Sequence, residues 1–506
     1  MSVIGPCPHI LKHTHNKLQE SNKMKRTTLL LVAILTTLSM FGQNITGQWN
    51  GNLKISGTQL RIVFNISKTD TGYSSTMDSP DQGAKGVPVN STIFENAVLK
   101  LAIKNIGFEY EGTLDKNKNI VGTMRQAGQS FPMNLTREKI AKEKIVRPQE
   151  PSLPYSYNSE EVKFANTQDN ITLAGTLTFP KAGGPFPAVI LISGSGPQNR
   201  NEELMGHKPF LVLSDHLTKN RIAVLRFDDR GTAESTGDHK TATSVDFAKD
   251  VKSALNYLKT RKEINQNKIG LVGHSEGGII APMVAAESKD VNFIVLLAGT
   301  GIRGDQLLLL QQELIGKASG KSEAELQKAK IFNKGIFDFI LENDPKQDSD
   351  TSLAGYIRQA LKDNPDSGRP AGMSEDDYVK LLVNSISSPW MNYFIKYNPA
   401  PVLEKVKCPV LAINGEKDLQ VPPKVNLEAI QKALEKGGNK KVTIKTLPNL
   451  NHLFQDCKTG SPAEYAAIEQ TFSPAALNEI SAWIISQVKL NMAGRYPDLI
   501  LINKGS

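Results

Sequence analysis

Six short, strongly apolar segments alternate with segments of helical periodicity over residues 158–490. Strands that are apolar at every position are buried on both faces, and parallel strands need crossover helices between them. The pattern therefore predicts the α/β fold class, with a mostly parallel central sheet and helices on both faces. The predicted strands are Ala188–Ile192, Ile222–Phe227, Ile269–Val272, Phe293–Leu297, Val410–Ile413 and Val442–Thr446. The predicted helices are Val245–Arg261, Gly278–Glu287, Lys424–Lys436 and Pro474–Val488.

Residues 302–400 interrupt this alternation. They carry helical periods and no strand pattern, and an insertion of about a hundred residues is more consistent with a packed unit than with a structureless loop. Because the insertion follows the strand Phe293–Leu297, we expect it over the carboxyl ends of the strands, where open α/β sheets bind ligands. The sequence thus predicts an inserted helical cap.

Residues 44–137 have a different pattern, in which apolar residues alternate with polar ones between Gly, Asn and Asp turns. Stretches such as Gln59–Ile66 predict an N-terminal all-β accessory domain. The motif G-x-W-x-G-x-L from Gly47 resembles the first strand of small lipocalin-like barrels, which implies a barrel-like domain. No residue pattern in it carries chemistry, so a ligand-binding role and a docking role both stay open. Residues 138–157 are predicted to be a linker.

The segment 24–43 predicts a secretory signal peptide, because Met24-Lys25-Arg26 precedes a short apolar stretch. We expect Met24 to be the initiator and residues 1–23 to be a doubtful N-terminal extension. The protein is therefore predicted to be exported, to the periplasm or outside the cell. The residue types in the pattern Cys7–His15 suit zinc, but the pattern precedes the export signal and is predicted to bind no metal.

The formal charge of +9 suggests a nucleic-acid partner. Residues 1–43 carry five Lys or Arg and one Glu, so their removal lowers the charge to +5. No basic cluster interleaved with aromatic residues remains, so we predict no nucleic-acid partner. No apolar run reaches membrane-spanning length, so we predict no stable membrane insertion after signal removal. Cys408 and Cys457 are expected to be free, buried thiols; residues 491–506 form a C-terminal tail, and the oligomeric state stays open.

The sequence Gly273-His-Ser275-Glu-Gly277 lies between a predicted strand and a predicted helix. In this context G-x-S-x-G predicts a nucleophile elbow, whose glycines leave room for a strained serine. A serine hydroxyl needs a base, and only His452 lies in a loop after the last predicted strand. The other histidines beyond residue 43 precede the serine or lie inside the turn: His207, His216, His239 and His274. We predict that Ser275 is the nucleophile and His452 the base.

The base needs a carboxylate that holds its tautomer. Asp418, just past a predicted strand, is the predicted partner, and Glu416 is the competing candidate. An oxyanion hole needs two backbone N–H groups aimed at one point. We predict the N–H of Glu276, directly after the nucleophile, and that of Ser195 in a small-residue loop, with Gly194 as the alternative.

Two further segments are predicted to support the site. Asp228 and Asp229 are expected to be structural, and Arg230 to pair with carboxylates and brace the elbow loops. Trp390 and Tyr393, near the end of the cap, are candidate substrate-binding residues for an acyl group. Ordinary packing inside the cap is an equally good interpretation of these two residues.

Five motifs occur in an order that resembles the α/β-hydrolase superfamily across residues 158–490, and in particular a bacterial serine esterase branch with a helical cap. The resemblance implies a carboxylesterase that cleaves short-chain acyl esters through the triad Ser275, Asp418 and His452, with a small-molecule ester as substrate and no metal or cofactor. The matching segments are Leu191–Arg200, Arg226–Gly231, Gly273–Gly278, Ser388–Phe394 and Asn414–Pro423.

Two alternative functions stay open. A serine peptidase or aminopeptidase of the same fold would need an acidic clamp for a substrate amine, for which Glu375, Asp376 and Asp377 are candidates. A third hypothesis makes the β domain a binding module at the cell surface. The predicted triad argues against a purely binding role for the whole chain.

Overall fold

The computed structural model describes most of the chain. The predicted signal peptide, the Cys7–His15 pattern and the predicted C-terminal tail lie outside the described residues. No helix in the described part of the chain is both long and apolar enough to cross a membrane. The described residues are 44–55, 58–82, 84–126, 129–141, 147–343, 349–363, 369 and 373–489.

The first sheet is antiparallel and lies within residues 47–136. Its strands pair in the order β4-β3-β2-β1-β10-β8-β7-β6-β5, with β9 on β8. The sheet curls, so that the hydroxyls of Ser75 on β3 and Thr92 on β5 are 2.7 Å apart. The strands are β1 Gly47–Ile55, β2 Thr58–Thr69, β3 Gly72–Ser79, β4 Ala84–Pro88, β5 Ser91–Glu95, β6 Val98–Ile103, β7 Phe108–Leu114, β8 Ile120–Gln126, β9 Gln129–Pro132 and β10 Leu135–Thr136.

Large side chains fill the inside of this curled sheet. The two-residue period of the strands turns Trp49, Phe64 and Tyr110 inward, and all three are almost fully buried. The Tyr110 hydroxyl occupies the space beside Gly112 and Gly122, where an added Cβ would lie only 2.5 and 2.4 Å from it. Glycine at these two positions therefore makes room for the tyrosine.

The second sheet has eight strands in the order β11-β12-β14-β13-β15-β16-β17-β18. β11, β12 and β14 pair antiparallel, and the pairs from β14 through β13 to β18 are parallel. The apolar segments predicted as strands thus form a mostly parallel sheet. Its strands are β11 Asn158–Asn166, β12 Ile171–Phe179, β13 Phe186–Ile192, β14 Ala223–Phe227, β15 Ile264–His274, β16 Phe293–Leu297, β17 Val410–Gly415 and β18 Val442–Leu447.

Helices cover both faces of this sheet. Alternate residues of β13 belong to cores on opposite sides: Ile190 lies in the core that the sheet shares with α2, α3, α9 and α10, and Leu191 lies in the core that it shares with α1 and α11. Burial on both faces is the reason that the central strands are apolar at every position. These helices are α1 Pro209–Lys219, α2 Ser244–Thr260, α3 Gly277–Glu287, α9 Ala400–Leu403, α10 Pro423–Lys436 and α11 Pro474–Val488. The sequence pattern did not identify α1.

A helical insertion separates β16 from β17, two neighbouring strands of the sheet. Its helices build a core of their own around Ile336, Ile357 and Val379. It packs closely, since a Cβ on Gly304 would lie 1.8 Å from the carbonyl oxygen of Phe394. The helices are α4 Gly304–Ala318, α5 Glu323–Glu342, α6 Ser349–Asp363, α7 Glu375–Ile386 and α8 Pro389–Lys396.

The two cysteines of the described part differ from the prediction in their burial. Cys408 and Cys457 are free thiols, and each keeps partial exposure instead of being buried. Cys408 precedes β17, and desolvation raises its pKa to about 11. Cys457 lies in a loop, where its thiol donates to the carbonyl oxygen of Asn449 at 3.3 Å.

Arg230 pairs with carboxylates, but not those of the elbow loops. Its Nε lies 2.7 Å from Asp250 on α2, and its Nη2 lies 2.8 Å from Asp169 in the β11–β12 turn. The prediction that Arg230 braces the elbow is therefore wrong. The guanidinium instead ties α2 to the antiparallel edge of the sheet.

We predict that Arg230→Ala lowers the free energy of unfolding by about 3–5 kcal/mol, because it leaves the buried Asp250 carboxylate without its cation. Lys252→Ala, which removes a surface ion pair with Glu287, should cost less than about 1 kcal/mol. Urea denaturation of both variants measures the difference. Equal losses would show that Arg230 contributes no more than a surface ion pair.

Candidate active site

The turn between β15 and α3 carries Ser275 in a left-handed backbone conformation, with φ of 52°. This region is rarely adopted by residues with a side chain, and strain of this kind clusters at functional sites. A Cβ on Gly273 would lie 2.0 Å from the carbonyl oxygen of Gly277, and one on Gly277 would lie 2.2 Å from that of Ile192. Both flanking positions therefore require glycine, and the serine stands at the tip of a tight turn.

Asp418 and His452 are in direct contact. His452 Nδ1 donates to Asp418 Oδ2 at 2.8 Å, and the other carboxylate oxygen accepts the backbone N–H groups of Gln420 and Val421 at 2.8 and 2.9 Å. Both side chains are buried. Glu416, the competing candidate, is exposed and accepts a backbone N–H of the loop after β18. The geometry thus pairs His452 with Asp418, and the carboxylate leaves His452 Nε2 free to act as a base.

The three residues predicted as a triad follow the carboxyl ends of strands in one part of the sheet: Ser275 follows β15, Asp418 follows β17 and His452 follows β18. The ring of His452 lies beside the elbow, 4.8 Å from the ring of His274. Among the described residues, Ser275 Oγ makes no hydrogen bond with His452. Such contacts are often long without substrate and tighten when it binds.

Two backbone N–H groups near Ser275 are available for an anion. The N–H of Gly194 donates to Glu202 Oε1 at 2.7 Å and is therefore engaged. Within the described part of the chain, the N–H groups of Ser195 and Glu276 donate no hydrogen bond. Glu276 also stands at the N-terminus of α3, where the helix dipole favours negative charge. Among the described residues, the N–H groups of Ser195 and Glu276 therefore have no acceptor, whereas the N–H of the alternative donor, Gly194, already has one.

Helix α8 of the insertion touches the elbow through the side chain of Glu276. This buried carboxyl accepts Trp390 Nε1 at 2.8 Å and the hydroxyl of Ser244 at 2.6 Å, and desolvation raises its pKa. Burial and the Glu276 charge together raise the pKa of Tyr393, also on α8, to about 12. Trp390 stacks on Phe394 with ring centroids 5.1 Å apart. The Glu276 side chain is a contact that the sequence did not indicate.

The loop after β13 is held by the acidic residues at the end of β14. Asp229 accepts the Ser193 hydroxyl at 2.7 Å and the N–H of Gln198 at 2.8 Å, and burial raises its pKa well above the usual value. Asp228 pairs with Arg200 at 2.7 Å. Both carboxyls are committed to loop structure, so neither is placed to orient a catalytic base.

Sequence reasoning missed the partners of His274. Its Nδ1 lies 2.9 Å from Glu202 Oε1, and its Nε2 donates to the carbonyl oxygen of His452 at 3.0 Å. His274 stands next to the nucleophile in the sequence, which is a weak signal of a role. Glu202 lies 72 positions away and carries no signal of its own.

The residues considered as an amine clamp lie in the first turn of helix α7, which Ser374 caps. Asp376 pairs with Arg358, and Asp377 donates its N–H to the hydroxyl of Ser374 at the start of α7. Glu375 lies in the same first turn. Within the described residues, no group of three or more His, Cys, Asp or Glu side chains is arranged to hold a metal ion.

Residues 251–354 match the family model described as "BAAT / Acyl-CoA thioester hydrolase C terminal". The chain is also similar to the esterase EstD of Thermotoga maritima, with 27% identity over 321 residues. That alignment covers 62% of this chain and 65% of the relative's own length.

Solved structures with a similar backbone include the alpha/beta hydrolase GrgF from Penicillium, at a TM-score of 0.40 and 17% identity. The match covers 66% of this chain and all of GrgF. An esterase of Pyrococcus furiosus matches at a TM-score of 0.39 and 18% identity, with 66% of this chain and 91% of the esterase covered.

His207 is a further buried histidine, and its ring contacts the loop that carries His452. His207 is fully buried, with Nε2 donating to the carbonyl oxygen of Tyr465 at 2.9 Å and Nδ1 lying 3.0 Å from the Thr471 hydroxyl. Gln455, three residues after His452, contacts the same ring at 3.1 Å. Desolvation lowers the pKa of His207 to about 4.

We predict a pH-dependent stability that comes from His207. Its ring is neutral when folded, whereas the unfolded chain takes up a proton below about pH 6.5. Its contribution is therefore complete above pH 6.5 and is lost as the pH falls towards 4. Urea unfolding between pH 7 and 4 should show that wild type loses roughly 1–3 kcal/mol more than His207→Gln. Parallel pH profiles for the two proteins would contradict the assignment.

Proposed function

We propose that this protein is a serine carboxylesterase of the α/β-hydrolase superfamily that cleaves short-chain acyl esters. The observation that carries the proposal is the buried hydrogen bond between Asp418 and His452 beside the strained turn of Ser275. The family match and the esterase relative support the coarser statement, a hydrolase that acts on esters or thioesters.

The first half of the proposed reaction forms an acyl-enzyme. His452 Nε2 accepts the proton of Ser275 Oγ as the oxygen attacks the ester carbonyl carbon, and Asp418 stabilises the imidazolium. The carbonyl oxygen becomes an oxyanion that accepts the N–H groups of Ser195 and Glu276. When the tetrahedral intermediate collapses, the bond to the alcohol oxygen breaks and His452 returns the proton to that oxygen.

The second half releases the acid. His452 removes a proton from a water molecule whose oxygen attacks the acyl carbon, and the same two N–H groups hold the second oxyanion. The bond between the acyl carbon and Ser275 Oγ then breaks, and the serine recovers the proton from the imidazolium. Side chains and backbone groups of this chain perform every step.

We further propose that the helical insertion is a cap over this site. It leaves the sheet at the carboxyl end of β16 and touches the residue after Ser275 through Trp390. A cap here would set the length of the acyl pocket, with Trp390 and Tyr393 as its wall.

The apolar segment at residues 24–43 supports export to the periplasm or the exterior.

Hydrolysis of p-nitrophenyl butyrate tests the proposal. Ser275→Ala should abolish turnover and labelling by a fluorophosphonate. Asp418→Asn should lower kcat by roughly 10³–10⁴-fold, because the histidine loses the partner that holds its tautomer. Glu416→Gln, a matched acid outside the buried pair, should keep wild-type activity. Turnover by Ser275→Ala equal to wild type would refute the nucleophile, and a panel of acyl-CoA thioesters and aminoacyl amides would identify a different substrate class.

We predict that Trp390 limits the length of the acyl chain. Trp390→Ala should raise kcat/KM for octanoyl relative to butyryl esters by about tenfold, because removal of the ring lengthens the pocket. Trp390→Phe keeps a ring and loses only the hydrogen bond to Glu276, so its chain-length preference should match that of wild type. An unchanged preference in Trp390→Ala would assign the residue to packing inside the cap.

A further inference from the structure

His274 lies between two hydrogen-bond acceptors that belong to different loops. Its Nε2 lies 3.0 Å from the carbonyl oxygen of His452, which only accepts, so this nitrogen carries a proton. Its Nδ1 lies 2.9 Å from Glu202 Oε1. A ring that is protonated at both nitrogens satisfies both acceptors at once.

The charges around the ring favour this doubly protonated state. His274 is 7% exposed and Glu202 is 4% exposed. Burial by itself disfavours the charged ring, but the Glu202 carboxylate and its hydrogen bond, together with the His452 carbonyl and the Asp418 charge, outweigh desolvation and raise the pKa of His274. The titratable groups that face the ring are Glu202, Asp418 and His452.

Glu202 reaches a third segment of the site. The same oxygen accepts the N–H of Gly194 at 2.7 Å, one residue before the proposed oxyanion donor Ser195. The packing here is tight, since a Cβ on Gly194 would lie 3.3 Å from both Glu202 Oε1 and the Cβ of Ser275.

The backbone of Glu202 is also strained. Its φ is 50°, in the left-handed region that disfavours residues with a side chain. Two hydrogen bonds hold this buried, strained glutamate in place. Strain that the surrounding structure maintains in this way is typical of residues with a functional role.

We propose that Glu202 and His274 form a positioning pair that sets the Ser195 N–H and the His452 ring at the correct distance from Ser275. The inference rests on the proposed function, because it concerns the geometry of that same reaction. The pair ties together the loop after β13, the elbow and the loop after β18. Neither residue touches the reacting atoms in this account; both act through the groups that they hold.

The pair should affect kcat more than KM. A displacement of about 1 Å between a nucleophile, its base and an oxyanion donor is enough to cost roughly 10²-fold in rate. The proposed pair acts on the groups that react and not on contacts that hold the substrate in its ground state, so KM should change little. If the pair had a purely structural role, its loss would instead lower the free energy of unfolding and leave the kinetics of the folded enzyme unchanged.

The test compares Glu202→Gln with Glu203→Gln, which removes the neighbouring charge from the same loop. Glu202→Gln should lower kcat on p-nitrophenyl butyrate by roughly 10–100-fold and leave KM within about threefold. Glu203→Gln should behave as wild type. Since the carboxylate raises the His274 pKa, the charged ring persists below that pKa and is lost as the pH rises through it. The alkaline limb of the kcat profile should therefore move to lower pH in Glu202→Gln.

A spectroscopic measurement separates this inference from the proposed function. The ¹⁵N shifts of the His274 ring, assigned by their loss in His274→Asn, should show both nitrogens protonated at higher pH in wild type than in Glu202→Gln. Wild-type kcat and an unmoved pH profile in Glu202→Gln would overturn the positioning role and leave the esterase intact. A wild-type protein that neither turns over esters nor reacts with a fluorophosphonate would overturn the proposed function and the positioning role together, whatever the ring shifts are.

If Glu202→Gln does not fold, two variants of His274 replace it. In His274→Gln the amide nitrogen stands near the position of Nε2 and keeps the bond to the His452 carbonyl, whereas in His274→Asn it stands near Nδ1 and keeps the bond to Glu202. Each should lose at least tenfold in kcat, because each breaks one side of the bridge. Wild-type kcat in both variants would refute the pair.

Discussion

The turn that carries Ser275 depends on contacts between backbone segments that have no side chain between them. A Cβ at Gly273 or Gly277 would come within 2.2 Å of a carbonyl oxygen, one of which belongs to the end of β13. This close approach brings the elbow against the loop after β13, and with it the N–H groups of Ser195 and Glu276. Ser275 has its positive φ within this same turn. A rigid turn of this kind pre-organises the site, because no binding energy is needed to assemble the N–H groups.

Buried carboxyls are the second constraint on the site. Asp229, Glu202, Glu276 and Asp418 all lie near the carboxyl edge of the sheet, and each accepts at least two hydrogen bonds from its surroundings. A buried carboxylate without such partners would cost several kcal/mol. The loops at this edge are therefore held in place by the same bonds that make the acids tolerable there.

Much of the fold could be predicted from sequence, because its signals are local. Segments that are apolar at every position became the central strands, and α11 has the predicted bounds, Pro474–Val488. Helix α1 is as long as α3 and was missed because no Ser, Thr, Asp or Asn stands at its N-cap. The predicted role of Arg230 was wrong, because the direction of a long side chain depends on where α2 and the β11–β12 turn lie in space.

The sequence by itself determined the tight turn at Ser275 and the order of Asp418 and His452 after it, because G-x-S-x-G between a strand and a helix is a local steric requirement. Only the tertiary structure decided which groups meet. Asp418 contacts His452 across 34 positions, His274 contacts Glu202 across 72, and Trp390 contacts Glu276 across 114. These contacts depend on the order of strands in the sheet and on the path of each loop. No local pattern records them, because the free energy that selects them comes from packing the whole domain.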